Sequence, residues 1–269
     1  MNTGYNDPLT ESIPVFKKNL HRYALIIGNE NYEAYQLGLQ NVEYAVNDAK
    51  AFREFALHFW GVPEENVFYL ENATAGLMHS SAERISLLLK TAPAGSEVLF
   101  YFSGHGIQTA DGSSFIPAAI DNDPMNSSNE GNLNAIFEKI IRNCSIRVIA
   151  FTDACFSGRN RQGTGALAVR GIRHQAVKGS LPKGVILFAG AGENQYAFSW
   201  NEKKHGLFTA VLLENLLQAN GRTTWGELVG KVKKEVMEKA ARLHHAAQVP
   251  VLAASSSLLD QFQQEKIKR

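Results

Sequence analysis

The chain has 269 residues, 45% hydrophobic and 20% charged, and a formal net charge of +1. That is the balance of an ordinary globular protein long enough to bury a sizeable core, and bulk charge of this size excludes recruitment of nucleic acid or an anionic membrane. The opening MNTGYNDPLTESIPVF lacks the basic-then-apolar order of a signal peptide, and no apolar run nears the ~18 residues of a membrane span, so a cytoplasmic chain with no membrane partner is expected.

Residues 1–21 read as an N-terminal extension. In chain order, YALIIG (23–28) is a strand, 42–59 carries apolar residues at helical spacing, VFYL (67–70) is a short strand and 81–90 a helix. EVLFYF (97–102) is a strand, 133–142 a helix, and IRVIAFT (146–152) and VILFA (185–189) are strands. Helices follow at 207–219 and 225–243, then a last short strand, VPVLA (249–253), whose Pro250 points to a sheet edge. Strands apolar throughout and alternating with helices predict an α/β fold: a mainly parallel central sheet with helices on both faces. One region breaks the pattern: 159–184 is rich in Gly, Arg and Lys, has no carboxylate, and reads as a long exposed loop.

In open parallel sheets, ligands gather at the carboxyl ends of the strands. Two strands here end in chemistry-bearing residues. EVLFYF runs into Ser103-Gly104-His105-Gly106, and IRVIAFT into Asp153-Ala154-Cys155. If the strands are neighbours, His105 and Cys155 face each other, with glycines beside them that let a substrate backbone come close. A cysteine and a histidine are the minimum for thiol nucleophilic catalysis, since the imidazole favours the thiolate and later protonates the leaving amine. The backbone N–H groups of Gly106 and Cys155 are candidate oxyanion donors, each worth about 3 kcal/mol. The cysteines, Cys144 and Cys155, are too few for a disulfide framework and are expected as reduced thiols, Cys144 structural. Asn-x-Ser/Thr triplets at Asn72, Asn126 and Asn143 read as chance matches without export.

With His105 and Cys155 fifty positions apart, and with the blocks YALIIGNENY, VNDAKAF, LFYFSGHGIQTADG, FTDACFSG, LFAGAGENQYAF and HGLFTAVLLENL, the chain resembles the caspase-like cysteine peptidases over roughly residues 22–255. The chain looks closest to the metacaspase and paracaspase branches: Asp-Ala-Cys-Phe-Ser-Gly is similar to the metacaspase form, although metacaspases usually carry His where Phe156 stands. The resemblance implies a caspase–hemoglobinase α/β fold with an antiparallel edge strand. It implies a large part at 22–158, a cleavable linker at 159–184 and a small part at 185–269, all in one domain. It also implies a His105–Cys155 dyad, Gly106 at the oxyanion, a thioester acyl-enzyme and a protein or peptide substrate.

Asp153 raises a question, because a carboxylate two positions from a thiol raises the thiol's pKa. Strand alternation sends both in one direction, and a buried carboxylate calls for a cation, best a bidentate arginine. In the metacaspases the pocket for the residue before the cleaved bond uses motif positions that fall here on Asp48, Ser103 and Asp153. Ala45 replaces a customary cysteine, and Glu193 matches a paracaspase pocket acid. Cleavage after Arg, then Lys, is therefore expected. The linker offers Arg170 and Arg173 as autoprocessing sites in a zymogen.

Many metacaspases need calcium. Asp121 and Asp123 lie in IDNDP, but no aspartate follows Cys155 closely enough to complete a cluster, so no metal site and no cofactor is expected, and IDNDP reads as an Asx-rich turn. Two alternatives remain at this stage. CFSGRNR has the Cys-x5-Arg spacing of a phosphatase cradle, although Asp153 would repel phosphate. A catalytically inactive caspase-like scaffold is the other. FAGAG lacks the third glycine of a dinucleotide site, and His244 and His245 read as a polar helix end. Oligomeric state is open.

Overall fold

RYALIIG is apolar but for its first residue and forms β1 (Arg22–Gly28), buried along its whole length. The computed structural model describes residues 7–35, 39–108, 115–117, 119–121, 133–142, 146–155, 181–192 and 195–267. After β1 come α1 (Ala45–His58), β2 (Val67–Glu71), α2 (Ala75–Leu89), β3 (Glu97–Gln108), β4 (Phe115–Pro117), α3 (Leu133–Ile141) and β5 (Arg147–Cys155). The chain then gives β6 (Val185–Ala189), β7 (Ser199–Trp200), β8 (His205–Gly206), α4 (Leu207–Ala219), α5 (Trp225–His244), β9 (Val251–Ala253) and α6 (Ser256–Gln264).

The main sheet has the order β2-β1-β3-β5-β6-β9, with β4 added on β3. The pairs from β2 through β6 are parallel, while β4 and β9 are antiparallel. Period-2 alternation divides the strands between two cores. Ala24, Ile26, Leu99, Tyr101, Ile149 and Phe151 pack with α1, α4 and α5, whereas Leu25, Ile27, Val98, Phe100, Val148 and Ala150 pack with α2 and α3. The first core is aromatic: Phe52 stacks on Tyr101 at 4.3 Å between centroids, and Trp225 on Phe262 at 4.8 Å. The expected α/β sheet, covered on both faces and closed by an antiparallel edge strand, is what forms. Among the described residues no helix is long and apolar enough to cross a membrane.

The chain leaves β1 for β2 on one side and returns to β3 on the other, so the order reverses between β1 and β3. That switch point opens a crevice at the carboxyl ends of these strands. Gly28, at the end of β1, is needed there for packing: a Cβ would lie 2.6 Å from the Ala45 carbonyl oxygen and 2.7 Å from the Ala49 Cβ. The stretch expected as an extension packs on the core. Leu9 is buried, Phe16 meets Phe59 edge-on at 5.5 Å, and backbone bonds join Phe16 to His58 and Asn19 to Gly61.

Several boundaries differ from the pattern-based expectation. Helix α2 starts at Ala75 rather than at 81 because Thr74 caps it, its hydroxyl accepting from the Leu77 N–H, and because Asp121 Oδ1 accepts from the Ala75 N–H at 2.8 Å. Strand β9 starts only after Pro250, which cannot donate to a ladder. Strands β4, β7 and β8 and helix α6 are too short or too polar to show in periodicity.

Candidate functional site

Strands β3 and β5 do not stop where their apolar runs stop. The parallel ladder continues through Ser103↔Asp153 and Gly104↔Ala154 to His105↔Cys155. Glycine weakens a strand but still offers its N–H and C=O, and β4 extends the pairing by setting Gly106 against Pro117. Gly104 has φ 156°, and a Cβ there would lie 2.7 Å from the Tyr32 hydroxyl, so only glycine allows this approach. His105 and Cys155 are thus immediate cross-strand neighbours at the carboxyl end of the sheet; of Cys155 the structure describes the backbone.

His105 is buried and held from several directions. Its backbone N–H donates to the Tyr32 hydroxyl at 3.0 Å, and the Tyr32 ring meets the imidazole edge-on at 4.6 Å. The imidazole Nε2 lies 2.7 Å from the Gln40 carbonyl oxygen. A carbonyl only accepts, so Nε2 carries the proton and Nδ1 is the basic nitrogen of the neutral ring. Tyr32 is itself placed by the loop after β1. Asn72 Oδ1 accepts from the N–H groups of Glu30 and Asn31, both at 2.9 Å, and Asn29 Oδ1 accepts from the Ala73 N–H.

One strand repeat below the His105–Cys155 pair, acids converge. Asp48, Ser103 and Asp153 are completely buried. Ser103 Oγ donates to Asp48 Oδ2 at 2.9 Å, and Ser103 and Asp153 are register partners. Asp48 Oδ1 accepts from His205 Nδ1 and from the Gly206 N–H, each at 2.9 Å. The other nitrogen of His205, Nε2, lies 3.1 Å from Asp7 Oδ2. Both ring nitrogens face carboxylate oxygens, so both carry protons and the ring is an imidazolium. Burial alone would lower its pKa, but the hydrogen bonds to Asp48 and Asp7 outweigh burial and raise it to about 9. Asp153 Oδ2 accepts from the N–H and the hydroxyl of Thr209, at 3.0 and 2.7 Å. That hydroxyl has one proton, so the Tyr101 hydroxyl, 2.7 Å away, donates to it. The N-terminus of α4 therefore meets both acids, Asp48 at the N-cap Gly206 and Asp153 at Thr209, where the helix dipole favours negative charge.

The structure brings His105, Gly106, Ser103, Asp48, Asp153 and the Cys155 backbone into one region. Glu193, Arg170, Arg173, Asp123 and Cys144 lie outside the described residues. His244 ends α5; it stacks on Phe198 at 4.4 Å and donates through Nε2 to the Ser199 carbonyl oxygen. Residues that sequence reasoning passed over are Tyr32, Gln40, Tyr101, His205 and Thr209. Tyr32, Tyr101, His205 and Thr209 stand within the family-like blocks. No periodicity or spacing marks any of them, because their partners lie far away in sequence.

A mainly parallel sheet in which adjacent central strands present a histidine and a cysteine side by side is the architecture of the caspase-like cysteine peptidases. The chain belongs to that family: the caspase-domain family model matches residues 21–263. By structure the chain is similar to the crystal structure of caspase-1 from Spodoptera frugiperda, at a TM-score of 0.59 and 15% identity, over 91% of this chain and 90% of that one. At that identity the likeness is one of fold. No curated protein matches the chain by sequence.

Proposed function

We propose that the protein is a cysteine endopeptidase of metacaspase-like type that hydrolyses peptide bonds after Arg and, less well, after Lys. The observation that carries this reading is the register of β3 and β5, which sets His105 beside Cys155 and Ser103 beside Asp153. His105 takes the Cys155 proton at Nδ1, since Nε2 is committed to Gln40. The thiolate attacks the scissile carbonyl, and the N–H groups of Gly106 and Cys155 receive the oxyanion. The imidazolium then protonates the leaving amine, and water cleaves the thioester. This chemistry needs a reduced thiol, in keeping with a cytoplasmic enzyme.

The substrate's basic side chain is read by Asp48, Ser103 and Asp153, with Glu193 as a further acid. Charge supports this. The carboxylates of Asp7 and Asp48 share the one imidazolium of His205, and Asp153, held by Thr209, adds a further acid beside Ser103, so the excess of acids suits a guanidinium. An enzyme of this specificity can cut its own linker, at Arg170 or Arg173, and so start as a zymogen. A positional-scanning fluorogenic peptide library, run on wild type and Cys155→Ala, tests the reading. Turnover is expected after Arg above Lys, none after Asp, and none with the alanine variant. Cleavage confined to Asp, or turnover surviving Cys155→Ala, would overturn it.

A further inference from the structure

On the reading that Asp48, Ser103 and Asp153 receive a basic side chain, we infer that His205 is a positioning residue for that pocket: it holds the Asp48 carboxylate, and Asp7 holds His205. The N-terminal segment is then part of the specificity site rather than an appendage.

The geometry carries this. Four chain segments meet at one carboxylate. Asp48 comes from the first turn of α1, Ser103 from β3, His205 and Gly206 from β8, and Asp7 joins from the N-terminal segment through the imidazole. Asp48 Oδ1 accepts from the imidazole and the Gly206 N–H, while Oδ2 accepts from Ser103, so both oxygens are fixed and the group cannot swing. Asp48 and His205 are both fully buried. A carboxylate buried there needs donors and a countercharge to replace water, and of its partners His205 supplies both. The imidazole in turn needs an acceptor for its second N–H, which would be orphaned in the interior without Asp7. Lysine in place of His205 would supply charge but not two donors on opposite sides of a flat ring. His105 is held by contacts to Tyr32 and Gln40, whereas Asp48 is held by Ser103, His205 and Gly206.

The test compares wild type, His205→Ala, His205→Asn and Asp7→Asn on matched peptides with Arg or Gln before the cleaved bond, together with labelling of Cys155 by a thiol-directed acylating probe. His205→Ala is expected to raise KM for the Arg peptide about tenfold or more, the loss of a hydrogen bond to a charged group. Its kcat should stay within about threefold, and its KM for the Gln peptide should be unchanged. Asparagine puts an amide donor where Nδ1 stood and should recover part of the loss. Asp7→Asn should shift KM the same way by less. Normal probe labelling of each variant reports an intact dyad. An unchanged KM in His205→Ala, or kcat and probe labelling collapsing together in every variant, would overturn the role of His205. Wild-type cleavage only after Asp would instead sink the pocket reading itself, before any variant is compared.

Discussion

Tyr32 shows how a residue distant in sequence can set the position of His105. Its hydroxyl accepts the His105 N–H, its ring edge braces the imidazole, and Gly104 is glycine because that hydroxyl occupies the space of a Cβ. Tyr32→Phe keeps the ring but orphans a buried N–H, at a cost of about 1–3 kcal/mol. The His105 backbone is then freer to drift, and kcat is expected to fall roughly tenfold with KM little changed. Steady-state kinetics on an Arg peptide would show this; an unchanged kcat would remove Tyr32 from the catalytic support. In the sequence, His105 and Cys155 were legible because a thiol and an imidazole beside glycines at strand ends are rare. Tyr32 was not, because a buried tyrosine after a strand has the pattern of any core aromatic.

Among the elements, the contact of β1 with α1 sets where Asp48 sits. Gly28→Ala drives a Cβ to 2.6 Å from the Ala45 carbonyl oxygen, backbone that cannot move aside cheaply. The substitution should cost about 1–3 kcal/mol, seen as a lower urea midpoint at constant m-value. The junction of β8 and α4 has its own pH signature. The His205 pKa is raised from 6.5 to about 9 in the folded state by Asp48 and Asp7, against burial. A group raised in this way stabilises the fold fully below 6.5, and its contribution is lost as pH rises through about 9. The melting temperature should therefore fall between pH 7 and 10, and His205→Asn should flatten that slope by scanning calorimetry. An identical slope in the variant would mean that other groups cause it.

For the whole molecule, a charge network closes the sheet at the end opposite the site. Glu97 pairs with Arg22 at 2.8 Å and with Arg147 at 2.9 Å, and Arg147 reaches Glu265 at 2.6 Å, tying β1, β3 and β5 to the C-terminal end of the chain. Burial pushes Glu97 up, but the guanidinium charges of Arg22 and Arg147 outweigh it and hold the carboxyl below its ordinary 4.5. A carboxylate lowered in this way contributes stability above 4.5 and loses it as pH falls through the folded value. Glu97→Gln should destabilise by about 3 kcal/mol at neutral pH, since it leaves buried guanidinium charge under-compensated. The variant should also unfold with a shallower dependence on acid below pH 4.5. Chemical denaturation at pH 7 and pH 4 measures both, and equal loss at the two values would count against the network.

The sequence by itself determined the longer strands and that they run mainly parallel, because apolar runs alternating with helical periods leave few other ways to bury both faces of a sheet. It also determined the chemistry on offer, a thiol, an imidazole and buried acids, and the family-like blocks that carry them. Only the tertiary structure decided that β3 and β5 run on past their apolar runs to bring His105 beside Cys155. It likewise decided that Gln40 selects the imidazole proton, that His205, Gly206 and Thr209 meet the acids, and that Asp7 of the N-terminal segment reaches His205. The reason is physical. Periodicity reports which face a side chain turns to the core, while hydrogen-bond partners drawn from segments up to 198 residues apart, as Asp7 and His205 are, exist only once the chain has closed.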